Sequence, residues 1–515
     1  MGVEPEYVSV GGAARAVPDG MPQDTVRPGT RYFARFLGLL VLIAAFRLVA
    51  LALNGTDLYM DEAQYWAWSR ELALGYFSKP PLIAWIIHGT TALCGDGEAC
   101  IRLPSVVLHL VTAALTYAIA ARLYSDDVAF WAGLGYALLP AVSLSSGIIS
   151  TDVPLLAAWA LALLAFAGLM ASPSPRDTVL LALALGLGLN AKYAMAYFIV
   201  CAAVYFIVAP ERRARLREPH LWLALAGGLA LIAPNLLWNA THGFVTFAHT
   251  AANAGWQGVP FHPAKAAEFL LAQFGVLGPI LFGALLIIAW RALKRPAGLA
   301  PADKLLLAFS VPILVLVTAQ GLISRAHANW AAPAYVAAIV LVTAVMIRDR
   351  AWAWLRATFA VHAAAAVLLA LATWQAGRLA LPGIGDPFAR TLGNRALAEA
   401  VKGELAEATR KGEPVRSVLT DNRETAAALA YYVRDINVPI LSWREGLAPR
   451  SYFEMTHPFT ASAPSPVLLV SARPVPSSVT RHFDAVTSAR PRAIPAGDHA
   501  TRTVHFSLLA RYQER

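Results

Sequence analysis

The chain has 515 residues, of which 57% are hydrophobic and 14% charged, with a net charge of +10. Soluble domains carry about 25% charged residues, so that class is excluded, and a mean hydropathy of +0.54 agrees. The basic residues sit in short loops between apolar blocks of roughly 18–23 residues, the length that crosses ~30 Å of hydrocarbon. That placement is a topology signal and excludes a nucleic-acid partner.

The chain opens with a polar stretch, 1–35, that has no apolar core of a cleavable signal peptide. It is expected to be a disordered cytoplasmic tail. A transmembrane domain of about eleven spans is expected over 36–380, at 36–53, 103–122, 128–148, 153–171, 178–190, 192–209, 221–238, 268–290, 304–323, 330–347 and 354–376. The segment 82–93 is too short to span and belongs in the interface.

Charge sets the orientation. With Arg15, Arg27, Arg31 and Arg35 inside, the inside loops also hold Arg122, Arg176, the run Arg212, Arg213, Arg215, Arg217, and later Arg291, Lys294, Arg295, Lys304, Arg348, Arg350 and Arg356. The opposite loops hold only Arg70, Lys79, Arg102, Lys192, Lys265 and Arg325. The bias keeps its sign along the chain and puts the loops 54–102 and 239–267 outside. The few outside cations oppose the rule. Either they meet anionic phosphate at the outer face, or they snorkel among headgroups, a reading that suits Arg70 and Lys265 better than Lys79, Lys192 or Arg325.

Beyond 381 the composition turns polar. Helices are expected at 395–410 and 423–434, and strands at 415–420, 438–442, 467–471 and 503–509. This alternation predicts a small extracytoplasmic α/β domain over 381–515. It lacks a P-loop, a dinucleotide fingerprint and a nucleophile elbow, so it is expected to shape or cap an acceptor site and not to carry chemistry.

The loop 54–102 is richest in chemistry. It holds Asp61 and Glu62 among Tyr59, Tyr65, Trp66, Trp68 and Tyr76, rings that sit at headgroup level. Paired acids there serve as general base or metal ligand, or form a solvated turn. Lys79 stands before Pro80-Pro81, whose rigid backbone makes a corner suited to an anion, and Arg102 makes a similar corner with Leu103-Pro104. Cys94 and Cys100 close the short loop CGDGEAC; outside the membrane they either bridge or stay as two thiols. Asp152 sits at the outer mouth of the next span pair, as a second acid or as an ordinary helix start with Pro154. The 239–267 loop brings Asn239, His242 and His249, and one of these histidines with Asp61 or Glu62 could hold a divalent ion. The run Ser324-Arg325-Ala326-His327-Ala328-Asn329-Trp330 adds a cation and an amide on the same face.

Taken together and in this order, the Asp61-Glu62-x-x-Tyr65 motif, SKPPLIAW at Ser78–Trp85, Arg102-Leu103-Pro104, Thr151-Asp152, Lys192-Tyr193 and PNLLWNATHGF resemble the GT-C glycosyltransferases of the PMT type. Those relatives include bacterial lipid A aminoarabinose transferases, lipopolysaccharide galacturonosyltransferases and protein O-mannosyltransferases. The likeness covers roughly 35–380. It implies a GT-C fold in the bacterial inner membrane, moving a sugar from a polyprenyl-phosphate donor to lipid A, lipopolysaccharide core or another envelope acceptor on the periplasmic face. Carried over, Asp61 is the essential first-loop acid, with Glu62 beside it and Asp152 as a second acid. Lys79, Lys192, Arg102 and Arg325 hold the donor phosphate, and Tyr65, His242, His327 and Asn329 contact acceptor or sugar. The aminoarabinose transferases carry an acid where this chain has Ser78, which leaves a metal site open. The alternatives are an O-mannosyltransferase-like enzyme and, from another class, a lipid or solute transporter. A transporter places ionisable residues near mid-span in repeated halves, whereas here only Arg47 and His109 lie within spans and no repeat is evident.

Overall fold

The helices follow the apolar blocks and break where proline removes a backbone donor. The protein is described from a computed structural model covering residues 28–255, 261–383, 385–474, 476–487 and 490–513. Helix α1 (Pro28–Ala52) begins inside the expected tail, and residues 1–27 of that tail lie outside the described residues. Helices α2 (Met60–Arg70) and α3 (Leu82–Cys94) fold the first loop, and α4 (Glu98–Leu123) follows. The block 128–148 divides at Leu139-Pro140 into α5 (Asp126–Leu138) and α6 (Pro140–Ser145). Then come α7 (Asp152–Ala171), α8 (Pro175–Ala191), α9 (Tyr197–Val208), α10 (Pro219–Thr241) and α11 (Val245–Ala254).

The block 268–290 is not the single straight span expected. Helices α12 (Pro263–Val276) and α13 (Pro279–Lys294) meet at 119°. Between them Gly278 takes a φ of 93°, and Pro279 starts the new helix. The bundle ends with α14 (Pro301–Ala308), α15 (Val311–Ile323), α16 (Ala334–Arg348) and α17 (Trp352–Trp374). Among the described residues six helical stretches are long and apolar enough to cross a membrane, or seven if the bent pair is one span. Several of the eleven expected spans are therefore shorter helices, such as Tyr193–Val208 and Ala334–Arg348. In α7 83% of the apolar window is buried inside the protein, against 22% in α1 and in α17. So α7 is central, while α1 and α17 turn Leu42, Val49, Val367 and Leu371 outward.

The C-terminal domain contains α18 (Asn394–Arg410), α19 (Arg423–Tyr432), α20 (Tyr452–Thr456) and a six-stranded mixed sheet. Strands β1 (Ser417–Thr420), β2 (Ile440–Ser442) and β3 (Val467–Ser471) are parallel, with Val418 opposite both Ile440 and Leu468. Strands β4 (Phe483–Val486), β5 (Arg490–Pro495) and β6 (Thr501–Tyr512) complete the order β2-β1-β3-β6-β4, with β5 also on β6. The fully buried β1 and β3 were legible as apolar runs. Strands β4 and β5 were not: β5 reads RPRAIP, and two prolines confine such a segment to an edge.

The domain sits on the first loop. Trp66 of α2 meets Tyr431 of α19 edge-on, with ring centroids 5.1 Å apart. The Tyr432 hydroxyl accepts from Leu58 N at 2.7 Å and donates to Glu98 at 2.7 Å. Asp57 of the loop accepts from the backbone of Asn394 and Arg395 at 2.8 and 3.2 Å, satisfying donors that the start of α18 leaves free. Cys94 and Cys100 are joined in a disulfide, the first of the two states open from the sequence. The loop they close presents Asp96, whose side chain accepts from Trp66 Nε1 at 2.8 Å and whose carbonyl accepts from Tyr431 at 2.7 Å.

Candidate active site

The two adjacent acids of α2 have opposite surroundings. Glu62, at the third helical position, caps its own helix by accepting from Tyr59 N at 2.9 Å. It also accepts from Ile149 N at 2.9 Å and pairs with Arg102 at 2.8 Å. Both charged side chains are sealed, at 1% and 2% exposure. Arg102 also donates to the carbonyls of Thr56 and Asp57 at 3.2 and 2.8 Å. Arg102, expected at a donor phosphate, and Glu62, expected in catalysis, are paired with each other in the structure. Each is the other's counterion, and four of the five N–H donors of Arg102 are engaged by Glu62 and by the Thr56 and Asp57 carbonyls.

Asp61 faces the other way. Its carboxylate is 39% exposed and pairs at 2.5 Å with Arg423, the first residue of α19. The C-terminal domain therefore delivers a charged group to the first-loop acid, which the sequence did not reveal. A signal was present. A cation in the first turn opposes the helix dipole, and Asn422, whose side chain accepts from Thr425 N at 2.8 Å, marks that turn as a helix start.

The second acid is arranged from three elements. Asp152 opens α7 but is not its cap; Thr151 precedes it without a side-chain cap bond. One Asp152 oxygen pairs with Lys192 at 2.7 Å, and the other accepts from Asn329 Nδ2 at 2.7 Å. Lys192 follows directly on α8, at the end where a cation suits the dipole. Tyr193 next to it donates to Asn235 Oδ1 at 2.7 Å, which ties this corner to α10.

Lys79 lies between these acids. The turn that carries it closes with Tyr76 N donating to Lys79 O at 3.1 Å. It is held from below by Asn235 on the carbonyl of Leu74 at 2.8 Å and by Thr246 on that of Tyr76 at 2.7 Å. A Cβ at Gly75 would lie 2.4 Å from the Trp238 ring, so only glycine lets the turn rest on α10. Burial pushes the Lys79 ammonium below its ordinary value, with Lys192 and Arg423 adding to this and Asp61 and Asp152 opposing it. Those charges are its neighbours, yet among the described residues no hydrogen bond or ion pair occupies Lys79 Nζ.

Tyr65 is buried and packs on Trp68, centroids 5.2 Å apart. Burial pushes its hydroxyl well up, and the charges of Asp61, Asp152 and Glu62 add to this, so it is a neutral donor between the acids. The histidine that joins the group is His249 and not the expected His242. His242 is exposed, stacks on Trp238 at 4.0 Å and bonds the Trp238 carbonyl at the end of α10. The chain then turns through Gly243 and Phe244, both at positive φ, and α11 brings His249 against Phe77, centroids 5.4 Å apart. Burial holds His249 down at about 4, with Lys79 and Arg423 adding and Asp61 opposing. It bonds Asn253 at 3.3 Å, and Arg325 donates to the Asn253 carbonyl and side chain at 2.9 and 3.1 Å. His327 is lowered by burial and by Arg325 and Lys192. The structure thus gathers Asp61, Tyr65, Lys79, Asp152, Lys192, Arg325, His327 and Asn329 at one end of the bundle, and adds Arg423, His249 and Asn253. Among the described residues no three histidine, cysteine or carboxylate side chains come together as a metal set.

Comparison with known proteins agrees. A family model described as dolichyl-phosphate-mannose-protein mannosyltransferase matches residues 78–238. The lipid A galacturonosyltransferase RgtD of Rhizobium johnstonii is 36% identical over 438 residues, which is 84% of this chain and 90% of that protein. The lipopolysaccharide core galacturonosyltransferase RgtA of the same organism is 27% identical over 263 residues, covering 50% of this chain and 52% of that protein. Among solved structures, ArnT from Cupriavidus metallidurans bound to undecaprenyl phosphate superposes with a TM-score of 0.65 at 16% identity, over 94% of this chain and 99% of that one. The fold and the cleft define a polytopic membrane glycosyltransferase of the GT-C class. Within that class, the chain belongs to the family of the lipid A galacturonosyltransferase RgtD.

Proposed function

We propose that the cleft transfers a sugar from a polyprenyl-phosphate donor to lipid A or a related lipopolysaccharide acceptor, on the periplasmic face of the bacterial inner membrane. The observation that carries this reading is Lys79: a half-buried cation with no hydrogen-bonding partner among the described residues, beside Lys192, Arg423 and two carboxylates. In the reaction an acceptor oxygen bonds to the sugar C1, and the bond from C1 to the phosphate oxygen breaks. The leaving polyprenyl phosphate gains one negative charge. Fixed cations at that point stabilise the transition state more than the ground state, and Lys79 is placed for this, with Lys192 and Arg423 adding positive potential. The names of the two relatives point to a uronic acid as the sugar, whose carboxylate suits Arg325 at the rim.

Of the two acids, Asp61 is the more accessible and is held by one cation, while Asp152 is fixed from both sides by Lys192 and Asn329. Asp61 takes the proton of a hydroxyl acceptor; a phosphate acceptor is already ionised and needs only orientation. The orientation rests on the charge bias of the loops, and the polyprenyl chain lies between helices below the cleft. The domain reading follows: a cytoplasmic tail, a membrane domain to about 380 and a periplasmic domain that closes the cleft. The test is mass spectrometry of envelope lipids and lipopolysaccharide from cells with this protein, without it, and with Asp61→Asn. A uronic-acid mass on lipid A that disappears in the last two supports the reading. No change in mass, with a lipid or solute redistributed across the membrane, supports the transporter instead.

A further inference from the structure

The helices α1, α6 and α17 enclose an apolar groove of about 320 Å3, lined by Leu42, Phe46, Leu144, Ala366 and Val367 among others. Its wall is not wholly apolar. Arg47 lines it, is only 5% exposed, and has an Nη1 with no hydrogen-bond partner among the described residues, while its Nη2 donates to the Ala137 carbonyl. Ser143 lines it too, and its hydroxyl is likewise buried without a partner among the described residues. Two orphaned polar groups in an apolar setting are costly unless a ligand atom meets them.

Above the groove lies a polar vestibule of about 400 Å3, and Leu51 and Asn54 line both spaces. The vestibule occupies the seam between membrane domain and C-terminal domain: Glu98 and Arg102 come from α4, Arg395 from α18, and Tyr431, Tyr432 and Arg434 from the end of α19 and just after it. Arg395 pairs with Glu98 at 2.7 Å. Arg434 pairs with no carboxylate among the described residues. Its guanidinium lies 4.1 Å over the Tyr431 ring and donates to the Tyr431 carbonyl at 2.6 Å, which holds the exposed charge at the vestibule wall. Arg47 is one turn below Leu51, ~6 Å along α1, the side on which acyl carbonyls follow a headgroup.

We propose that the groove and vestibule form one site for a resident anionic phospholipid, distinct from both substrates of the cleft. One acyl chain fills the groove, an acyl carbonyl accepts from Arg47 Nη1, and the phosphate sits against Arg434 and Arg395. The site is separate from the cleft: the sealed Glu62–Arg102 pair stands between them, and Arg423 is at the far end of α19, ~13 Å from Tyr432. A headgroup in the seam bridges α1 and α4 to α18 and α19, and so steadies the domain that places Arg423 on Asp61. The site stands independently of which donor the cleft takes.

The experiment uses the full chain in nanodiscs that contain a phosphatidylglycerol with a photoreactive acyl chain. Labelled peptides are mapped by mass spectrometry, beside a phosphatidylcholine analogue. Expected is phosphatidylglycerol label within 42–54 and 363–373 that undecaprenyl phosphate does not displace. Arg434→Glu should lower it about tenfold, as loss of a charge-assisted hydrogen bond predicts. Ala363→Phe, an exposed groove position, should block it without touching the core. Equal label in both variants, or from phosphatidylcholine, would mean ordinary bilayer contact and overturn the proposal. Displacement by undecaprenyl phosphate would overturn it too, by giving the groove to the donor.

Discussion

The two sides of α2 compare directly, because they carry adjacent carboxylates, each paired with an arginine. On the inner side Glu62 and Arg102 are almost fully buried and make six hydrogen bonds, four to the backbone of Tyr59, Ile149, Thr56 and Asp57 and two from Arg102 to Glu62. On the outer side Asp61 and Arg423 are 39% and 25% exposed and have one contact between them. The first pair is too enclosed to exchange partners at low cost, since leaving one buried charge alone costs ~3–5 kcal/mol. The second pair is open and worth ~0–1 kcal/mol, so a substrate can enter between its members. One residue's shift along a helix separates an enclosed pair from an open one.

Variants at these positions test that contrast, beginning with the largest effect. Asp61→Asn should keep its melting temperature and elution profile and lose transfer activity by ~10²–10⁴-fold, the range of a general base. Full activity in that variant would remove Asp61 from the mechanism. Glu62→Ala should do the reverse: a loss of ~3–5 kcal/mol of stability from the stranded Arg102, read as poor yield and a lowered melting temperature. A well-folded Glu62→Ala with selective loss of activity would erase the distinction drawn between the two acids. Arg423→Ala should leave stability within ~1 kcal/mol and reduce transfer about tenfold, the loss of one charge-assisted contact, with a raised KM for the donor.

The smallest effect is in pH. His249 is held near 4 in the folded protein against an ordinary 6.5, so between those values the unfolded chain binds the extra proton. Stability therefore rises with pH across that window and falls on acidification from 6.5 towards 4. His249→Phe should flatten that slope in thermal denaturation, and an unchanged slope would place the titrating group elsewhere.

The sequence made much of this site legible for a definite reason. Lys79, Lys192 and Arg325 stood out as cations on the side of the membrane where loops avoid them; the structure sets Lys79 and Lys192 beside Asp61 and Asp152 and holds Arg325 on Asn253. The same argument pointed to Arg102, which the structure pairs with Glu62. Charge bias places a residue on one face of the membrane and says nothing of a partner 40 positions away. Arg423 is 362 positions from Asp61, so only the docking of α19 on α2 brings them together. Between His242 and His249 the choice turned on one backbone reversal at Gly243-Phe244, which hydropathy does not register. In the fold, the long apolar helices and the buried strands β1 and β3 followed from pattern. The 119° bend at Gly278-Pro279 and the edge strand β5 depended on proline in tertiary context.

The central claim is that Lys79 holds the leaving phosphate. The most direct measurement is the affinity of purified protein in nanodiscs for undecaprenyl phosphate, comparing wild type with Lys79→Met and with Arg102→Met as the buried counterpart. A loss of ~10–100-fold in Lys79→Met, as removal of a charge-assisted contact predicts, with its melting temperature unchanged, is the expected result. Equal affinity in wild type and Lys79→Met would contradict the account, and would place the phosphate on another cation of the cleft.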